Sequence, residues 1–130
     1  MVNHAVVAVV NYEGKLLVGK KRKDSLKFLA GEWHIPGETV ENSESDEEAL
    51  KRGMREEAGL DIRVGRYLGK HITPTSQKEA LWYECFADTS QVTCGSDLED
   101  IKWIPCNEVL SHFSSRVTDL WSAEIKNYFR

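Results

Sequence analysis

No stretch of this sequence is long or apolar enough to suggest a membrane span. The longest apolar run is Ala5 to Val10, whereas a spanning helix needs about 20 such residues. Met1-Val2-Asn3-His4 also lacks the basic n-region of a secretory signal. Cysteine is scarce. Cys85, Cys94 and Cys106 are odd in number and show no C-x-x-C spacing, which argues against a disulfide framework or a zinc site. They are expected to be packing thiols in a reducing cytoplasm. Basic excess is missing as well: 17 basic residues stand against 21 acidic ones, a net charge of −4. That balance disfavours a nucleic-acid polymer or an anionic membrane as partner, yet leaves room for one phosphate-bearing ligand held locally. His4, His34, His71 and His112 show no metal-ligand spacing, and there is no internal repeat or low-complexity linker.

What is present reads as one domain spanning residues 1–130. Apolar residues make up 41% and charged residues 29%, an ordinary globular balance. Val2 to Val10 is valine-rich and predicts a buried strand. Asn11-Tyr12-Glu13-Gly14 supplies turn chemistry, and Lys15 to Lys20 predicts the returning strand of a hairpin. Residues 21–37 read as an irregular stretch, basic at its start and ending in Trp33-His34-Ile35-Pro36-Gly37. Asp61 to Ile72 and Ala80 to Ala87 are strand-like, separated by a polar loop around Thr73-Pro74-Thr75-Ser76, and Ile101 to Ile104 is a further short strand. Pro105-Cys106-Asn107 opens a short helix through Phe113. Val117, Leu120, Trp121, Ile125 and Tyr128 recur at helical spacing, predicting a single amphipathic helix at the end of the chain. Strands interrupted by one central helix and followed by helices imply an α/β sandwich with a central mixed sheet.

The clearest helix runs from Ser45 to Ala58. Ser45 and Glu48 have the spacing of a capping box, and Gly59 is placed to stop the helix in the left-handed region. On a wheel of about 100° per residue, Ala49, Leu50, Met54 and Ala58 define one inward arc. Glu57 projects into the middle of that arc and Glu56 lies on its edge. Arg52, four residues before Glu56, is its surface neighbour, while Lys51 and Arg55 face away. An ionised carboxylate turned inward must be paired, metal-bound or neutralised, so Glu57 asks for a cation. Pro36-Gly37 just upstream allows close backbone approach, with a carbonyl for a hard ion such as Mg²⁺.

Glu44, Arg52, Met54, Glu56-Glu57, Gly59 and Leu60 together resemble the signature of the Nudix hydrolases. That signature is Gly, any five, Glu, any seven, Arg-Glu-apolar-any-Glu-Glu-any-Gly-apolar. Trp33-x-x-Pro36-Gly37 is similar to the family's lead-in. The resemblance implies a Nudix-type α/β/α sandwich and cleavage of a diphosphate linkage by water with Mg²⁺ or Mn²⁺. It makes Glu56, Glu57 and the Gly37 carbonyl the metal ligands, and has Arg52 orient the carboxylates through Glu44 or Glu56. Two positions depart from the pattern. Glu38 stands where the signature has its first glycine, and Gly53 replaces the glutamate after Arg52. Glycine inside a helix costs about 1 kcal/mol relative to alanine. The readings open at this point are an inactivating change, a carboxylate displaced to another position, or a domain that binds without hydrolysing. Glu38 and the acidic run Asp97, Glu99, Asp100 are the candidate replacements, with Glu99 or Glu38 as the base.

Lys21 and Arg22, within the run Lys20 to Lys23, are candidate phosphate contacts. Trp33 and Phe28 are candidate base-stacking residues, although packing under the loop suits Trp33 as well. The small size resembles the MutT-like branch, which implies a nucleoside triphosphate cleaved to monophosphate and pyrophosphate. The alternatives are ADP-ribose or a nucleotide sugar as substrate, a non-catalytic nucleotide-sensing or protein-binding module, and, more weakly, cap removal. Oligomeric state is open, a homodimer being one assembly the chain allows.

Overall fold

A computed structural model describes residues 4–25, 29–73, 77–95 and 97–130. Strands β1 (Ala5–Tyr12) and β2 (Lys15–Lys21) form the expected hairpin. Its turn lies at Glu13 and Gly14, both with positive φ, the conformation that matches the twist of a tight hairpin. The start of the predicted first strand, Val2 and Asn3, lies outside the described residues.

The stretch between Lys21 and Gly37 is not wholly irregular. It contains β3 (Trp33–His34), which pairs with β2, and leads into β4 (Gly37–Thr39), which pairs antiparallel with the start of β1. Strands this short have no period to read in a sequence; only pairing partners reveal them. β1 is therefore shared. Its first residues pair with β4, its last with β2, and Ala5 to Asn11 run parallel to β6 (Glu79–Ala87). Outside β6 lies β5 (Ile62–Ile72), antiparallel and bulged between Val64 and Gly69, and β7 (Leu98–Pro105) pairs with β2. The sheet is mixed, as the sequence implies.

Alternation along β1 divides the interior in two. Val6, Ala8 and Val10 pack with Leu17 beneath α1 (Asp46–Ala58), against its Ala49, Leu50, Met54 and Ala58. Val7 and Val9 join Leu16, Val18 and Trp82 beneath the C-terminal helices. Two covered faces make the α/β sandwich. The last segment departs from the single helix predicted. A 3-10 turn (Cys106–Glu108) leads into α2 (Val109–His112), then α3 (Ser115–Thr118) and α4 (Ala123–Tyr128) follow with a break between them. In that break the Leu120 and Trp121 amides donate to carbonyls only three residues back. The tightened turn sets the Trp121 ring against Trp82, Phe113 and Phe129 at centroid distances of 5.1–5.6 Å. Aromatic packing overrides the helical period here. Of the three cysteines only Cys85 is buried, and burial pushes its thiol up to about 12; Cys94 is exposed.

Candidate active site

The site is built where β4 meets the inner face of α1. The helix begins as its sequence dictates. The Ser45 side chain accepts from the Glu48 amide while the Glu48 carboxylate accepts from the Ser45 amide. It ends at Gly59, φ 62° and ψ 31°, with the Leu60 amide donating back to Met54. Between these fixed ends the residue facing is set. Glu57 is only 8% exposed, as the wheel requires, whereas the Glu56 side chain is 58% exposed.

A second element holds the helix end. The Gly95 amide donates to the Glu57 carbonyl at 2.8 Å and the Thr93 amide to that of Ala58 at 2.9 Å. A Cβ on Gly95 would sit 2.3 Å from the Glu56 carbonyl oxygen, so only glycine lets this loop lie on the helix. The contact brings Asp97 to the same cleft as Glu57. Sequence reasoning assigned Gly95 nothing; an isolated glycine in a loop carries no signal of what it lies against.

Arg52 organises the carboxylates. Its Nε and Nη2 donate to Glu44 at 2.7 and 3.0 Å, and Nη2 also reaches the Thr39 carbonyl at 2.9 Å. Nη1 stands 3.5 Å from Glu56, 3.7 Å from Glu41 and 3.8 Å from Glu38. The Arg52 hydrogen bonds, with one from the Glu41 amide, hold the Glu44 carboxyl well below the usual range, at about 2. The same pairing raises the Arg52 pKa. Of the two carboxylates the sequence offered this arginine, Glu44 receives the bidentate pair, which ties the loop before α1 to the helix.

Gly37, Glu38 and Glu57 open together onto a cleft of about 710 Å³. A Cβ on Gly37 would stand 3.0 Å from the Val6 carbonyl oxygen; the close approach this glycine permits is to β1, its strand partner. Lys21 and Arg22 line the same cleft, with Arg22 also paired to Asp24 at 2.9 Å. Two sequence candidates are not brought there. Trp33 packs under the Lys102 ammonium, 4.3 Å from its ring centroid, and edge-on to His112. Glu99 sits on β7 with its carboxylate 3.3 Å from Lys20 Nζ, directed to that cation by the pairing of β7 with β2. Phe28 lies outside the described residues. The aromatics that do line the cleft are Trp82 and Trp121, beside His71 and Lys78. The Trp82 indole N–H donates to His71 Nδ1 at 3.0 Å, and burial lowers the His71 pKa, so this ring is held neutral with Nδ1 as acceptor. His71 and Trp82 come from β5 and β6 and Trp121 from the break before α4, positions that the sequence marks only as apolar or alternating.

Among the described residues, no group of three or more His, Cys, Asp or Glu side chains converges as a metal cluster. The carboxylates that line the cleft, Glu38, Glu57 and Asp97, offer the oxygen donors a hard divalent ion takes, its shell being filled by water and substrate phosphates. Their chemistry therefore fits a divalent cation.

The family profile described as "NUDIX domain" matches residues 2–123. The chain belongs to the Nudix hydrolase family. It is similar to the CTP pyrophosphohydrolase of Escherichia coli, 38% identical over 66 residues, which cover 51% of this chain and 47% of that protein. The chain thus spans about half the length of that relative. It is 29% identical over 113 residues to the nucleoside triphosphatase NudI of an Enterobacter species, covering 76% of this chain and 79% of the other. In structure it resembles the MutT protein from Methanosarcina mazei, with a TM-score of 0.74 and 21% identity over 96% of this chain and 88% of that one. The last likeness concerns the fold alone. Nudix hydrolases generally use divalent metal ions. Among the described residues, no helix is long and apolar enough to cross a membrane.

Proposed function

We propose that the protein hydrolyses a nucleoside triphosphate to the monophosphate and pyrophosphate, with Mg²⁺ or Mn²⁺, from a single Nudix-type domain over residues 1–130. The observation that carries this reading is Glu57: a carboxylate kept 8% exposed on the signature helix, opening with Gly37 onto one cleft that Lys21 and Arg22 also line. A carboxylate lining such a cleft is a suitable oxygen donor for a divalent ion that a phosphate chain also binds. Nucleoside triphosphates are favoured because relatives named for CTP and for nucleoside triphosphates match this chain.

Glu57, Glu56 and the Gly37 carbonyl would hold the ion. Bound there, a divalent cation would neutralise phosphate charge and acidify a water. The rest falls to the chain's own groups. Arg52 fixes the loop carrying Glu44 and steadies Glu56. Lys21 and Arg22 offer positive charge to the outer phosphates. A cleft carboxylate accepts the proton of the attacking water, a role whose loss costs about 10²–10⁴ in rate. Trp82 and Trp121 also line the cleft, and aromatic lining of that kind suits a base.

The test is release of pyrophosphate from a panel of ribo- and deoxynucleoside triphosphates, with and without Mg²⁺ or Mn²⁺. Metal-dependent release from at least one of them is expected. Nucleotide binding without turnover would instead favour a non-catalytic sensing module, the reading that Gly53 supports. Turnover of ADP-ribose or a nucleotide sugar in preference to triphosphates would move the substrate class.

A further inference from the structure

The two departures from the Nudix signature are complementary. Position 38 has gained a glutamate where the signature has glycine, and position 53 has lost a glutamate to glycine. They lie face to face. An ideal Cβ on Gly53 falls 3.0 Å from Glu38 Cβ, 3.2 Å from its Cγ and 3.2 Å from its Oε2. The Glu38 side chain therefore fills the space into which a side chain at 53 would grow. It does so from β4, where Glu38 pairs with Val6, and it lines the cleft with Glu57.

We propose that Glu38 supplies, from the strand, the cleft carboxylate that the signature supplies from the helix: the glycine and the glutamate have exchanged sides. The proposal rests on the metal-dependent reading above and names the residue that completes it. It also accounts for a costly residue. A glycine in a helix interior gives up about 1 kcal/mol against alanine, and here it is what lets the Glu38 carbon chain lie on the helix. Two glutamates at 38 and 53 would compete for one volume and repel. The Glu38 side chain is 22% exposed and its Oε1 is 3.8 Å from Arg52 Nη1, so a purely structural role, as an outlying partner of Arg52, is the competing explanation.

Binding of Mn²⁺ to the full chain, followed by loss of the free-ion electron paramagnetic resonance signal, separates the two without requiring turnover. The variants are Glu38→Gln, Glu38→Gly, Gly53→Glu, the double variant Glu38→Gly/Gly53→Glu, and Glu57→Gln. Glu38→Gln keeps the shape and removes the charge, and should weaken Mn²⁺ binding about tenfold or more. Gly53→Glu alone should lower Tm and fail to strengthen Mn²⁺ binding. The double variant should regain most of the affinity lost in Glu38→Gly, the non-additivity expected of residues in contact. Wild-type Mn²⁺ affinity in Glu38→Gln, or a double variant no better than Glu38→Gly, overturns the exchange. If Glu57→Gln is weakened while Glu38→Gln is not, only the exchange falls. If neither is weakened, the metal-dependent reading falls with it.

Discussion

At the residue scale, the chemistry gathers on the charges around Arg52 and Glu57. Replacing Glu57 by Gln keeps volume and removes the charge that the inner helix face holds. Metal-dependent pyrophosphate release should drop by about 10² or more, with the far-UV circular dichroism unchanged. Full activity in that variant would mean the inner carboxylate has been misassigned. The Arg52–Glu44 pair carries a pH signature. Glu44 is held at about 2 against an ordinary value of 4.5, so the folded chain keeps this carboxylate charged where the unfolded chain protonates it. Its contribution to stability is fully present above about pH 4.5 and is lost as pH falls toward about 2. Urea unfolding of the wild type and Glu44→Gln should therefore differ at pH 6 and converge as the buffer approaches pH 2; an equal gap at both ends would show that the pair does not titrate this way. The inward direction of Glu57 was legible from spacing, because a helix converts sequence separation into direction. That Arg52 pairs with Glu44 in preference to Glu56 was not, because Glu44 lies on the loop before the helix. The destinations of Glu99 and Trp33 were not, because strand pairing and ring packing fixed them.

Elements position these groups, and contacts at both ends help to hold α1 in place. The capping box at Ser45 satisfies amides that the first turn leaves open. Ser45→Ala should cost about 0.5–2 kcal/mol, a fall in Tm of about 2–8 °C for a chain of this size, measurable by thermal unfolding. At the other end Gly95 lies on the helix backbone. Gly95→Ala must push the loop off Glu56 and Glu57, so it should lower both stability and Mn²⁺ affinity. A Gly95→Ala protein with wild-type Mn²⁺ binding would show that the loop's seat does not shape the site. The cap could be read from two residues three apart. The loop contact joins residues 38 apart in sequence and left no local trace.

For the molecule as a whole, the sheet separates two cores with different duties. The one under α1 carries the acidic helix; the other seals the sheet beneath the C-terminal helices. Ile125 is 1% exposed in the second core and does not line the cleft, so Ile125→Ala should cost about 2–5 kcal/mol. Mn²⁺ affinity measured below its unfolding transition should stay near wild type. A parallel loss of affinity would mean the two cores are coupled through β1. The mixed sheet and the layered architecture could be anticipated from strands flanking one helix. The division of the last segment into α3 and α4 could not, since the apolar period continues across the break and only the seat of Trp121 against Trp82 interrupts it.

The sequence by itself determined the elements whose code is local: the hairpin turn, the capped helix, the inward carboxylate and the family to which they belong. Each depends on residues within about a turn or a strand repeat of one another, where backbone geometry fixes direction. Only the tertiary structure decided which loop lies on the helix, which aromatics wall the cleft, and that Glu38 lies over Gly53. These are meetings of residues distant along the chain, set by packing and strand register, and a substitution at one such position has meaning only beside its partner.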